Sequence, residues 1–105
     1  MDKKFIEQSG ETTKVILSGK LDAVNAPVLM EELKSLAGQN VKNIVFYADS
    51  LEYISSAGLR TIIFAKQKLG TDIEVYMIGA QEAVSDVIKM SGLDNFLYLQ
   101  DSFEE

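Results

Sequence analysis

The chain has neither histidine nor cysteine among its 105 residues. Without histidine there is no imidazole to act as a general base near neutral pH, and a Ser-His-Asp triad is impossible. Without cysteine there is no thiolate nucleophile, no disulfide and no soft ligand for a transition metal. Only carboxylates remain to hold a metal, and they are scattered along the chain, so neither a metal site nor a cofactor is expected. A serine nucleophile would need some other base. No Ser-x-x-Lys arrangement occurs, and the first lysine after the pair Ser55-Ser56 is Lys66, about three helical turns along. The expectation is a protein that binds rather than catalyses.

Positive charge is also scarce, with 10 Lys and Arg against 16 Asp and Glu and a formal net charge of -6. An acidic surface offers no attraction to nucleic acid or to an anionic membrane, so a basic protein surface is the easier partner to match. No apolar run approaches the roughly 20 residues that cross a bilayer, and "MDKKFIEQSG" lacks the apolar core of a signal peptide. We therefore expect a cytoplasmic protein without membrane insertion or direct nucleic acid binding. With no repeat, low-complexity tract or Pro/Ser-rich linker, 105 residues at 47% hydrophobic content suffice for one core and not two. A single domain over 1–105 is expected, folded over about 3–99, with "QDSFEE" as a short acidic, solvated tail.

Strand and helix patterns alternate along the chain. "KKFIEQ" and "TKVILSG", joined through "SGET", predict an N-terminal hairpin whose second strand ends at Gly19. "NAPVLMEELKSLAG" predicts a helix with Asn25 as N-cap, Pro27 in the first turn, Leu29, Leu33, Leu36 and Ala37 on one face, and a stop at Gly38. "NIVFYA" is the continuous apolar run of a strand buried on both sides. "AGLRTIIFAKQKLG" aligns Leu59, Ile62, Ile63 and Leu69 on a helix ended by Gly70, and leaves Phe64 either exposed to a partner or packed beneath a neighbouring helix. "IEVYMIG" is a further strand. "AQEAVSDVIKMSG" is a helix with Val84, Val87, Ile88 and Ser91 on one side, followed by Gly92 in the left-handed region and Leu93 as its apolar contact. "NFLYLQ" closes as a short strand. The order predicts an α/β domain: a hairpin, then alternating helices and strands forming a mixed, mostly parallel sheet with right-handed crossovers.

Two strand-to-helix loops carry the candidate site. "YISSAGLRTI" places Ser55 and Ser56 before a helix that begins near Ala57, where a serine commonly caps the helix and does nothing else. "GKLDAVNAP" is the other loop. Its Gly19-Lys20 pair lacks the remaining residues of a phosphate-binding loop, and no dinucleotide fingerprint follows any strand. Since partners of open α/β sheets meet the loops beyond the strands' carboxyl ends, Asp22 and Asn25 are expected beside Ser55 and Ser56 on one surface. Asp22 either caps the turn into the first helix or contacts a partner, and Asn25 is a plain N-cap. Gly58 either lets its helix approach the sheet or leaves room for a partner's backbone.

Three motifs, Gly19-Lys20-Leu21-Asp22 with Asn25-Ala26, "LEYISSAGLRTII" and "VIKMSGLDNFL", resemble the STAS-domain anti-sigma factor antagonists of bacteria, and the resemblance runs over nearly the whole chain. It implies that Ser56 is the phosphoacceptor, that Ser55 occupies a position often held by Asp, and that partner contacts come from Asp22, Asn25, Ser55, Ser56, Ala57, Gly58 and Leu59. It further implies that the unphosphorylated protein binds an anti-sigma factor that is itself a serine kinase, thereby regulating sigma-factor-dependent transcription. Phosphorylation releases that partner, and a serine phosphatase restores binding. The chain departs from the family at Ser55 and at Tyr47, which stands where a strand-end Asp is common. Ser55 and Thr61 are alternative acceptors. The alternative function is a constitutive STAS binding subunit of a lipid-transport ATPase complex or stress-signalling scaffold, in which the serine caps and contacts without being modified.

Overall fold

The computed structural model describes residues 6–9, 11–35, 41–68 and 73–101. Its sheet contains β1 (Ile6–Ser9), β2 (Thr12–Leu21), β3 (Asn43–Ile54), β4 (Glu74–Ile78) and β5 (Tyr98–Gln100), laid side by side in chain order. The first pair is the expected antiparallel hairpin, with Ser9 opposite Thr12. Every later pair is parallel. The crossovers are α1 (Ala26–Lys34), α2 (Ser56–Lys68) and α3 (Glu82–Met90). Because parallel strands succeed one another in one direction and crossovers are right-handed, all three helices fall on the same face of the sheet.

That geometry sorts the side chains. Val15, Leu17, Ile44, Phe46, Val75 and Met77 point from the sheet into one buried cluster, which α1 completes with Leu29 and Leu33, α2 with Ile62 and Ala65, and α3 with Val84 and Ile88. On the other face the alternation of β2 exposes Ile16, and in-register Tyr76 and Tyr98 stack with ring centroids 5.0 Å apart. The Tyr76 hydroxyl donates to Glu74 Oε2 at 2.8 Å, and this bond chiefly raises the phenol's pKa. Phe64 is half-buried against the core, which settles its position in favour of packing. Ser91, by contrast, is exposed rather than aligned with Val84 and Ile88.

Several boundaries differ from the expected ones. β2 does not stop at Gly19, which sits at φ +65° inside the strand, and pairing continues to Leu21 opposite Ile54. β3 likewise runs through "DSLEY", expected as a loop, because register shifts between Ile16 and Ser18 and between Gly19 and Lys20 absorb extra β3 residues as bulges. β5 starts only at Tyr98. The chain leaves α3 through Gly92 at φ +81° and makes a 3-10 turn over Leu93–Asn95, with Leu93 buried as expected. Leu36, Ala37, Gly38, Leu69 and Gly70 lie outside the described residues, as does the tail beyond Asp101.

Candidate functional site

The long β2–β3 pairing brings the two candidate loops together. With Leu21 and Ile54 in register, the next residues are Asp22 on one chain segment and Ser55 on the other. The Leu21 carbonyl accepts the Ser55 N–H at 2.9 Å and the Ser55 hydroxyl at 3.3 Å, so the start of α2 is tied to the end of β2.

Ser55 and Ser56 play different parts. Ser55 Oγ accepts the Gly58 N–H at 3.3 Å, and its carbonyl accepts the Leu59 N–H at 2.9 Å, which makes it the cap of α2. Ser56 is the first helical residue. It is exposed, and its hydroxyl has no hydrogen bond among the described residues. Thr61, the other alternative acceptor, is 1% exposed and donates to the Ala57 carbonyl at 3.1 Å, so its hydroxyl is engaged within α2 rather than presented as that of Ser56 is. The capping difference has a stability signature. Ser55→Ala is expected to lose about 1 kcal/mol and Ser56→Ala less than about 0.5 kcal/mol in urea unfolding. Equal losses would contradict the assignment of Ser55 as the cap.

The Asp22 side chain, rather than that of Asn25, caps the turn leading into α1. Asp22 Oδ1 accepts the N–H groups of Val24 and Asn25, both at 3.1 Å, while its carbonyl accepts the Ala26 N–H at 2.8 Å. Asn25 has helical backbone angles and no side-chain cap; its Nδ2 instead donates to the Lys20 carbonyl at 2.7 Å. Asn25 thus holds the expected N-cap position, its carbonyl accepting the Val28 and Leu29 N–H groups at 3.1 and 3.2 Å, but its side chain does not cap: the Asp22 side chain takes the N–H groups of the turn before α1 and Asn25 braces the strand end. Gly58 is buried under this junction, and a Cβ there would lie 2.6 Å from the Leu21 carbonyl oxygen. Its lack of a side chain is therefore explained by the approach of helix to strand. Ala57 and Leu59 are half-buried and pack on the core.

Around Ser56 the surface is mixed. Val24 is 77% exposed and Tyr53 51% exposed, and an open groove between α1 and α2 is lined by Ala26, Pro27, Met30, Ala57, Arg60 and Thr61. Val24, Tyr53 and Arg60 were not singled out from the sequence. Their signal was weak: single apolar or charged residues off the core-facing positions. Tyr47 does not reach this site. It lies mid-strand, paired with Ile16 and Ile78, because β3 continues to Ile54. Among the described residues there is no group of three metal-binding side chains, and no helix is long and apolar enough to cross a membrane.

Comparison with known proteins matches residues 4–105 to the STAS domain family. A Bordetella bronchiseptica protein, "Putative anti-sigma factor antagonist BtrV", is 32% identical over 77 residues, a match covering 72% of this chain and 66% of that protein. Among solved structures, an anti-sigma factor antagonist from Mycobacterium paratuberculosis has a TM-score of 0.82 at 23% identity, covering 93% of this chain and 84% of that one. The Bacillus anti-sigma factor antagonist SpoIIAA in its unphosphorylated form has a TM-score of 0.83 at 20% identity, covering 94% and 87%. Its phosphorylated form has a TM-score of 0.75 at 20% identity, covering 94% and 90%. At such identities the structural likenesses are likenesses of fold.

Proposed function

Since the chain belongs to the STAS domain family, we propose that it is an anti-sigma factor antagonist whose binding is controlled by phosphorylation of Ser56. The observation that carries the reading is the division of labour between the serines: the Ser55 hydroxyl is engaged in capping, while the Ser56 hydroxyl is exposed and without a hydrogen-bond partner among the described residues. The name of the Bordetella relative and that of SpoIIAA, which has a phosphorylated form, support the same class of function.

The unphosphorylated surface around Asp22, Ser56 and the α1–α2 groove binds an anti-sigma factor that is itself a serine kinase, and so frees a sigma factor in the cytoplasm. Phosphorylation adds about -1.5 to -2 charges at the centre of that surface, a short step from the Asp22 carboxylate. The fold tolerates the addition. The new charge stands at the amino end of α2, where unpaired N–H groups and the helix dipole favour an anion. The partner is released by the altered charge and shape, and a serine phosphatase returns the surface to its binding form. The protein itself performs no catalysis.

The test is a pull-down from native cell lysate with wild-type, Ser56→Ala and Ser56→Asp proteins, each checked for folding by circular dichroism. A kinase-like anti-sigma factor retained by the first two and lost with Ser56→Asp is the expected result. Equal retention of one set of partners by all three would replace the switch with a constitutive binding subunit, of the kind found in a transport complex or signalling scaffold.

A further inference from the structure

On a chain of net charge -6, helix α2 is an exception: "SAGLRTIIFAKQK" carries Arg60, Lys66 and Lys68 and no carboxylate, and none of its first-turn residues is acidic. Arg60 stands four residues after Ser56, and both are exposed. Residues at that spacing are neighbours on the helix surface, about 5–6 Å apart at Cβ, and an anion placed N-terminal to a cation is the favourable orientation. Arg60 makes no ion pair or hydrogen bond among the described residues, and its side chain lines the groove beside Pro27 and Met30. Among the described residues, the cation next to Ser56 is therefore not committed to another partner.

We propose that Arg60 is the internal counter-ion of phosphorylated Ser56. The inference rests on Ser56 being the acceptor. The guanidinium's N–H fork matches phosphate oxygens in a way that a point charge does not. When the phosphate is present, Arg60 turns from the groove wall toward it, so one modification both adds an anion to the docking surface and withdraws a cation from it. The other titratable groups on the elements meeting there are Lys20 and Asp22 at the end of β2, and Glu52 and Tyr53 at the end of β3. Packed α1 carries its charges, Glu31, Glu32 and Lys34, in its second half. Lys20 is the rival cation, while Asp22 and Glu52 oppose a second negative charge on the phosphate.

Phosphoserine encoded at position 56 of the full chain, titrated by phosphorus NMR, reads the phosphate's surroundings directly. The second phosphate pKa is expected to lie about 0.3–0.5 unit higher in Arg60→Gln than in the parent phosphoprotein, a two- to threefold tightening of proton binding. Arg60→Lys should recover part of that difference, and 1 M salt should shrink it. Lys20→Gln should leave the titration close to the parent's. Coincident curves for the parent and a folded Arg60→Gln phosphoprotein, or a larger shift with Lys20→Gln, would overturn the assignment. Should Arg60→Gln melt well below the parent, Arg60→Lys takes its place in low salt, where a second phosphate pKa above the parent's supports the pairing and coincidence with the parent overturns it. The measurement needs no partner or kinase. If phosphorylated Ser56 instead left the pull-down unchanged, the proposed switch would fail while the titration stood.

Discussion

Gly58→Ala is expected to lower the melting temperature by roughly 8–16 °C, from a net loss of about 2 kcal/mol. The new Cβ would stand 2.6 Å from the Leu21 carbonyl oxygen and 2.9 Å from both Ile54 Cγ1 and Leu21 Cγ. The oxygen cannot rotate aside, being backbone of β2 and already holding the Ser55 N–H at 2.9 Å. Overpacking of this kind costs up to about 3 kcal/mol, and the better helix propensity of alanine offsets about 1 kcal/mol of it. Relief requires α2 to lift from β2, which moves Ser56 relative to Asp22. Thermal melts followed by circular dichroism measure the loss. An unchanged melt would mean that the helix already has slack, and would return Gly58 to the reading in which it leaves room for a partner's backbone.

The alternation of strands and helices was legible because most elements keep a plain period. β2 buries Thr13, Val15 and Leu17 in alternation, and α3 buries Val84 and Ile88 a helical turn apart. The carboxyl half of β3 keeps neither period. Its buried residues Ala48, Leu51 and Ile54 recur every third position, since bulges shift the register against β2, and its exposed Asp49, Ser50 and Glu52 look like a loop. Past Tyr47, moreover, β3 has lost its β4 partner and pairs on one side only. Missing that extension hid the tight tie between Leu21 and Ser55, a contact across 34 positions of sequence.

The candidate site shows the same limit at finer scale. Both serines and Asp22 were legible as candidates, because loops beyond strand ends are where such residues gather. Which serine caps was not, since either satisfies the local pattern. The choice is made by where β3 ends, which fixes Ser55 against the Leu21 carbonyl and leaves Ser56 to solvent. That Asn25 holds the N-cap position without capping by its side chain was not legible for a related reason. It precedes a helix with Pro27 in its first turn, yet Asp22, three residues earlier, takes the available N–H groups through an Asx turn.

Leu21→Ala is expected to be the more damaging change alone, and partly corrective in company. Leu21 is 1% exposed in the core cluster, and truncating such a leucine costs about 2–5 kcal/mol through lost burial and the cavity left behind. Near 3 kcal/mol, the fall in melting temperature is roughly 12–24 °C for a domain of this size. The same truncation removes one of the three atoms that a Cβ at position 58 would strike, the Leu21 Cγ, and opens space beside it. The Gly58→Ala/Leu21→Ala double variant should therefore lose less than the two single losses added, by about 1 kcal/mol, within the range for contacting residues. The coupling cannot be complete, because the Leu21 carbonyl oxygen and Ile54 Cγ1 remain. A urea-unfolding double-mutant cycle measures it. Strict additivity would show that Gly58→Ala is resisted by the backbone oxygen and Ile54 Cγ1, with no part from the Leu21 side chain. A coupling equal to the whole cost of Gly58→Ala would instead show that the helix–strand junction is held apart by side chains, and that the start of α2, with Ser56 on it, can be moved by repacking.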